Sequence, residues 1–324
     1  MIIKSKVREI YKDDNIIIGA FKWFNHEEYV RAVFDYRDWS VDILAKLKEY
    51  NVQDVYIHGF AKKKQKYETL ECLEKLSFLR IVVIEDTNDK FENLDSLYNF
   101  QNLQSLKILQ EVRSKIDVSK FPHLIDLQTK GRGSVIGIEK CYMLKNMVIW
   151  SYANPDFNEL IKLKKLKSLE IVKGRNLNNL SGCEGLINLE WLSLYQCTNL
   201  TDISMLAEAK QLRALHMDCC KKINDYNVIG RFENLEELCL RNCGEIESIR
   251  FLEKLPKIKR VIINGDTRII DNDIAFIFQL PAIYGITIRF YSSYNITFDE
   301  YNNHPLTSSG VNPIEVNWEH EIDE

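Results

Sequence analysis

Leu189-Glu190-Trp191-Leu192-Ser193-Leu194-Tyr195-Gln196-Cys197 returns 23 residues later as Leu212-Arg213-Ala214-Leu215-His216-Met217-Asp218-Cys219-Cys220. It returns after another 23 as Leu235-Glu236-Glu237-Leu238-Cys239-Leu240-Arg241-Asn242-Cys243. The shared pattern is Leu-x-x-Leu-x-Leu/Met-x-x-Cys. A fixed period of this size marks a solenoid, in which each unit is one strand plus a return segment stacked on like neighbours. One unit alone cannot bury its apolar residues; stacking joins them into a continuous column.

The register extends both ways. Towards the C-terminus come Ile258-x-x-Val261-x-Ile263 and Ile283-x-x-Ile286-x-Ile288. Towards the N-terminus come units that open at Leu166, Leu144, Leu124, Leu103, Leu79 and, weakest, Val52, giving eleven expected strands. The unit at Leu124 is the least regular, because Thr129 takes a core slot. The return segments carry a second apolar set, Leu200-x-x-Ile203-x-x-Leu206 and again Ile246-x-x-Ile249-x-x-Leu252. Three-residue spacing suits a short helix or 3₁₀ turn.

The run Cys197-Thr198-Asn199-Leu200-Thr201-Asp202-Ile203-Ser204-Met205-Leu206 resembles the leucine-rich repeats of bacterial internalins and of phosphatase regulatory subunits. Cysteine in the usual asparagine place resembles the cysteine-containing repeats of F-box proteins. The resemblance covers about residues 79–290. It implies a curved horseshoe of class α/β, with a parallel sheet on the concave face and short helices, 3₁₀ turns or extended segments on the convex face. It implies no catalytic residue. The signal peptide and wall anchor of internalins are not visible, nor is a helical bundle of the F-box kind.

The ends depart from the repeat, as solenoid ends must to cover their terminal core. Residues 1–51 read as an α/β cap. Two β-rich runs, Val7–Tyr11 and Ile16–Ile18, flank a polar turn. Asn25 followed by Glu28 reads as the cap of a helix through Tyr29, Val30, Val33 and Phe34. Ser40 caps a second helix, with Ile43, Leu44 and Leu47 on one face. The repeat array spans 52–291. Residues 292–324 form a C-terminal cap and tail, loop-like over 302–310 and acidic from Glu315 with one Trp318.

Composition narrows the function. The 324 residues are 45% hydrophobic and 28% charged, an ordinary globular balance. A net charge of −4 and a pI near 6.0 point away from nucleic acid, which needs a concentrated basic surface. No apolar stretch has the roughly 18 residues of a membrane helix, and the N-terminus lacks a secretory h-region. The expected location is cytoplasmic. The eight cysteines agree, since Cys197, Cys220 and Cys243 recur at one repeat position as a column of small buried thiols. A metal site at Cys219, Cys220 and His216 lacks the spacing of a zinc centre, and no cofactor is expected. Phosphate-loop, nucleophile-elbow and zinc-protease motifs are missing. The sequons at Asn179, Asn199 and Asn295 read as accidents of composition.

What remains is binding. The outward strand places have no packing duty, and they offer Val148, Trp150, Val172, Trp191, Tyr195, His216, Asp218 and Arg241 as a candidate partner surface. Two tryptophans and a tyrosine in neighbouring units are typical of interface anchors, here expected side by side with His216 at their edge. Mixed charges flank them: Glu237, Arg241, Arg260 and Arg289 in later units, and Asp54, Glu85, Lys107, Asp126 and Lys130 in earlier ones. The expected activity is that of a non-catalytic scaffold for a protein or peptide partner. A toxin-neutralising immunity protein or a regulatory subunit of an enzyme is the alternative, and an enzyme using the His216 and Cys219 neighbourhood the remote one.

Overall fold

A computed structural model describes residues 8–22, 28–35, 39–59, 75–86, 94–109, 112, 114–130 and 135–307. The chain divides into two compact units at Met143/Leu144.

The first unit begins with β1 (Arg8–Lys12), β2 (Ile16–Lys22) and β3 (Glu28–Asp35), joined as antiparallel neighbours. From β3 onward pairing is parallel, through β4 (Asp54–Gly59), β5 (Ile81–Asp86), β6 (Ser105–Ile108) and β8 (Asp126–Thr129). Two short strands on the return side, β7 (Ile116–Asp117) and β9 (Val135–Ile136), form a parallel pair of their own. The hairpin expected at residues 7–18 is present over its described part. Helix α1 (Val41–Glu49) starts where Ser40 accepts the Ile43 N–H at 3.2 Å, and it buries Ile43 and Leu47.

The helix expected over residues 29–34 is not there. Glu28–Asp35 is a strand, with Ala32 and Phe34 buried. Alternation with period two won over the Asn25/Glu28 cap pattern, because a strand here pairs on both edges, with β2 and with β4. Asn25 itself lies outside the described residues.

The second unit is a parallel sheet in the order β10 (Asn146–Trp150), β11 (Ser168–Val172), β12 (Trp191–Tyr195), β13 (Ala214–Asp218), β14 (Glu237–Arg241), β16 (Arg260–Asn264) and β18 (Gly285–Ile288). The short pair β15 (Glu245–Ile246) and β17 (Arg268–Ile269) lies on the return side. Every one of the eleven expected strands is formed, each beginning two places after the residue that opens its unit. The register is that of the repeat: Leu192 faces Leu215, which faces Leu238, and Leu194 faces Met217, which faces Leu240. All six are buried. Of the second apolar set, Leu206 and Leu252 lie on 3₁₀ turns at Ser204–Glu208 and Arg250–Lys254, Ile203 and Ile249 immediately precede those turns, and Ile246 lies on β15.

Cys197, Cys220 and Cys243 are buried and unpaired, in a column. The Cys220 thiol donates to Leu194 O at 3.4 Å and the Cys243 thiol to Met217 O at 3.4 Å, each reaching the strand of the preceding unit. Thr267 continues the column after a one-residue insertion, its hydroxyl donating to Leu240 O at 3.2 Å. Gly174 precedes it, where an added Cβ would lie 3.0 Å from the Cys197 sulfur. The residue after each of β10, β11, β12, β13, β14 and β16 turns with positive φ: Ser151, Lys173, Gln196, Cys219, Asn242 and Gly265. In the first five the N–H reaches the carbonyl that ends the next strand, as Gln196 does to Asp218 at 2.8 Å.

The C-terminal side of the second unit is closed by α2 (Phe298–Asn302), which begins with a Thr297/Glu300 capping box. The Tyr301 hydroxyl accepts the Ile288 N–H at 2.7 Å and donates to Ile288 O at 2.8 Å. A phenol thus stands in for the strand that would follow β18. Beyond the helix, Thr307 makes a parallel bridge to Ile286. The loop expected over 302–310 therefore includes the helix end and this bridge, and residues 308–310 lie outside the described residues.

Two departures from the repeat in the first unit carry predictions. Thr129 fills a core slot, fully buried, and its hydroxyl has no hydrogen-bond partner. Thr129→Val removes that hydroxyl while keeping the branched shape, so stability should rise by about 1 kcal/mol. Urea titration of both proteins measures this; a loss of stability would mean that the hydroxyl is satisfied. Asp54 is fully buried on the other face of the sheet. Its Oδ2 accepts from Arg31 Nε at 2.7 Å and its Oδ1 has no partner. Burial pushes its pKa up to about 6, against the opposing pull of Arg31. A carboxyl with a raised folded-state pKa binds its proton more tightly in the folded protein, so its stabilising effect is complete below about pH 4. That effect is lost as pH rises to about 6. Asp54→Asn should therefore gain on wild type by about 1–2 kcal/mol between pH 4 and pH 7. Parallel stability curves would sink this reading.

Candidate functional site

Strand alternation fixes the candidate site. In β10 to β14 the fourth and sixth places of each pattern point into the core and the third, fifth and seventh away from it. Register then arranges the outward residues in three rows across the second unit. The first row is Asn146, Ser168, Trp191, Ala214, Glu237 and Arg260. The second is Val148, Glu170, Ser193, His216, Cys239 and Ile262. The third is Trp150, Val172, Tyr195, Asp218, Arg241 and Asn264.

All eight sequence-read site residues lie on this outer face, but the aromatic residues are not one cluster. Trp150 and Tyr195 share the third row with Val172 between them. Trp191 stands in the first row, at the other end of the strand that carries Tyr195. Two strand spacings and four residues put Trp150 and Trp191 roughly 16 Å apart. Side by side, as expected from the sequence, describes Trp150 and Tyr195 loosely and Trp191 not at all.

Trp191 instead meets His216 edge to face, with ring centroids 5.5 Å apart. His216 Nε2 lies 2.7 Å from Glu237 Oε1. Glu170, in the same row as His216, is half-buried, and burial raises its pKa while His216 opposes the rise. The third row is more open. Tyr195 is 37% exposed, and its hydroxyl accepts from Gln196 Nε2 at 3.3 Å. Lys173 Nζ stands 5.6 Å from the Trp150 ring centre, within the range of a cation–π contact. Asp218 accepts from Asn242 Nδ2 at 2.9 Å and lies 3.7 Å from Arg241 Nε. Val172 is buried between its neighbours and offers little surface. Glu170 and Lys173 were not among the expected residues. Glu170 occupies the fifth place of the Leu166 unit, so the repeat arithmetic identifies it; Lys173 lies one place beyond the strand, where that arithmetic stops.

The thiols near His216 are unsuited to nucleophilic work. Cys239, beside His216 in its row, is buried, which pushes its pKa up to about 12. Cys219 is pushed up to about 11 by burial and by the bond it makes to Asp218. A nucleophilic thiol needs the opposite shift. Among the described residues no group of His, Cys, Asp and Glu is arranged to hold a metal ion, and no helix is long and apolar enough to cross a membrane.

A parallel sheet built from 23-residue units, with 3₁₀ return turns and a buried column at the asparagine place, is the leucine-rich-repeat fold. Comparison of structures agrees. The functional domain of InlJ from Listeria monocytogenes, described as including a cysteine ladder, aligns with a TM-score of 0.51 at 17% identity, over 73% of this chain and 50% of that one. An internalin, inlF, from the same organism aligns with a TM-score of 0.42 at 15% identity, over 75% of this chain and 84% of its own. The plant peptide hormone receptor RGFR1, solved in complex with RGF2, gives 0.49 and 11% over 73% and 40%. This chain spans half the length of the InlJ domain. No protein-family profile matches the sequence, and no curated protein matches it significantly.

Proposed function

We propose that the chain is a non-catalytic protein-interaction scaffold, and that the outer face of β10 to β14 holds a protein or peptide partner. The observation that carries this is the third row. Trp150, Tyr195, Asp218 and Arg241 lie across neighbouring strands with no duty in the core, and Tyr195 is the most open of the aromatic residues in the rows. Aromatic rings flanked by charges of both signs supply contact area and orientation together. Val148, Val172, Trp191 and His216 complete the proposed surface as its floor and its second edge.

The mixed charge suits a polypeptide and not a nucleic acid. The unpaired thiols support a reducing, cytoplasmic setting. We read 1–51 and 292–324 as the caps of a binding array at 52–291. An immunity protein or an enzyme's regulatory subunit would use the same face. The test is affinity capture from the source lysate with wild type and Tyr195→Ala/Trp150→Ala baits in parallel. The proposal expects a partner retained by wild type and lost from the variant. Equal recovery on both baits would overturn it.

A further inference from the structure

Two side chains on the outer face of the second unit carry opposite charges that no described residue answers. Glu170, in β11, is half-buried and makes no hydrogen bond or ion pair among the described residues. Burial raises its pKa, and the opposing influence is His216, two strands away. Its row neighbours, Val148 and Ser193, bring no positive charge. Two places before it on the same face stands Ser168, 9% exposed, whose hydroxyl has no hydrogen-bond partner. Trp191 is next in the row of Ser168.

Arg260, in β16, is the opposite case. Val261 and Ile263 pair with Leu238 and Leu240 of the core column, so Arg260 and Ile262 face outward. Both are closed off nonetheless: Ile262 is 1% exposed and Arg260 is 9%. Arg260 makes no hydrogen bond or ion pair among the described residues. One row neighbour, Glu237, is engaged with His216. The other is Gly285, where an added Cβ would lie 3.7 Å from Arg260 Cγ, so the stem of the arginine runs beside the glycine. A guanidinium keeps its charge at any ordinary pH, and holding it out of water without an anion is costly.

The two charges cannot neutralise each other. Four strand spacings and a two-residue offset put their backbones roughly 20 Å apart. An extended polypeptide covers that span in about six residues, and its side chains can supply what each pole lacks. A lysine or arginine can pair with Glu170, donate a further hydrogen bond to the Ser168 or Ser193 hydroxyl, and stand against the Trp191 ring. An aspartate or glutamate about six residues away can accept the forked donors of Arg260.

We propose that the partner is an extended polypeptide that crosses the strands, with a basic side chain at Glu170 over β11 and an acidic one at Arg260 over β16. The proposal deepens the reading of the outer face as a binding surface and rests on it. It carries that face one strand beyond β14.

The probe is a displayed library of random twelve-residue peptides, selected on the full-length protein. Recovered sequences should carry a basic and an acidic residue about six places apart, enriched over the unselected pool. Binding of one such peptide should fall about tenfold or more with Glu170→Gln, and as much with Arg260→Gln. Norleucine in place of the peptide's basic residue should cost wild type the same factor and cost Glu170→Gln nothing further, as a double-mutant cycle requires of groups that touch. Exchange of the peptide's acid for its amide should behave likewise with Arg260→Gln. The peptide-side exchanges are read on wild type, so they decide the matter even where a variant folds poorly. An empty selection, recovered peptides without the charge pair, or binding that ignores either substitution overturns the proposal. Peptides that need Tyr195 and Trp150 but neither charge overturn it and leave the binding face standing. Peptides that need both charges but neither ring uphold it and remove the aromatic anchor, so the two readings fail separately.

Discussion

Leu215→Ala is expected to lower stability by about 2–5 kcal/mol, from lost transfer energy plus the cavity it leaves. Leu215 is fully buried and lies in register between Leu192 and Leu238. The two neighbouring strands are fixed by continuous parallel pairing, so they cannot collapse into the space. A solenoid adds a second consequence. Its stability is a sum of unit terms and nearest-neighbour interfaces, and Leu215 contributes to both interfaces of its unit. The β10–β12 and β14–β18 portions should therefore lose their coupling, and denaturant unfolding should broaden or split. Equilibrium unfolding followed by circular dichroism and by tryptophan fluorescence measures both effects, because Trp150 and Trp191 both lie before the substitution. Unfolding that matches wild type would mean that Leu215 is not in the core column.

The inner positions were legible because each is constrained twice, by alternation within a strand and by stacking on the next unit. Eleven strands could be placed from leucine spacing alone, and even Thr129, a poor match, marks the strand it was read to mark. The strand at Glu28–Asp35 was misread for a related reason. It lies outside the repeat, so nothing but local pattern spoke for it, and Val30, Ala32 and Phe34 alternate in a stretch that also carries a helix-cap signature. Its pairing with both β2 and β4 is a long-range fact. The outer face was legible in part. Parity alone puts Trp150, Trp191 and Tyr195 on one side of the sheet. Place number separates them, since Trp191 is third in its unit while Trp150 and Tyr195 are seventh. The burial of Ile262 was not legible, because alternation gives direction and says nothing of what lies above.

Tyr195→Ala is expected to weaken partner binding about thirtyfold or more, the equivalent of roughly 2 kcal/mol for a truncated anchor. The fold should scarcely respond. Tyr195 is open to solvent, and its side-chain contact is a surface bond with Gln196, so little packing is lost. Trp191→Ala should weaken binding to a similar degree, yet it is the less clean probe. Its ring packs against His216, and removing it frees the His216–Glu237 pair to shift. A modest fall in melting temperature is therefore expected for Trp191→Ala and almost none for Tyr195→Ala. Lys107→Ala, in the first unit beside Asp126, should change affinity far less than either. A melting curve and a binding isotherm on each protein separate the possibilities. If both aromatic variants lose stability while affinity holds, these rings serve packing and the proposed binding face must lie elsewhere. If Tyr195→Ala alone loses affinity, the anchor is the third row, and the edge formed by Trp191 and His216 is support for the sheet.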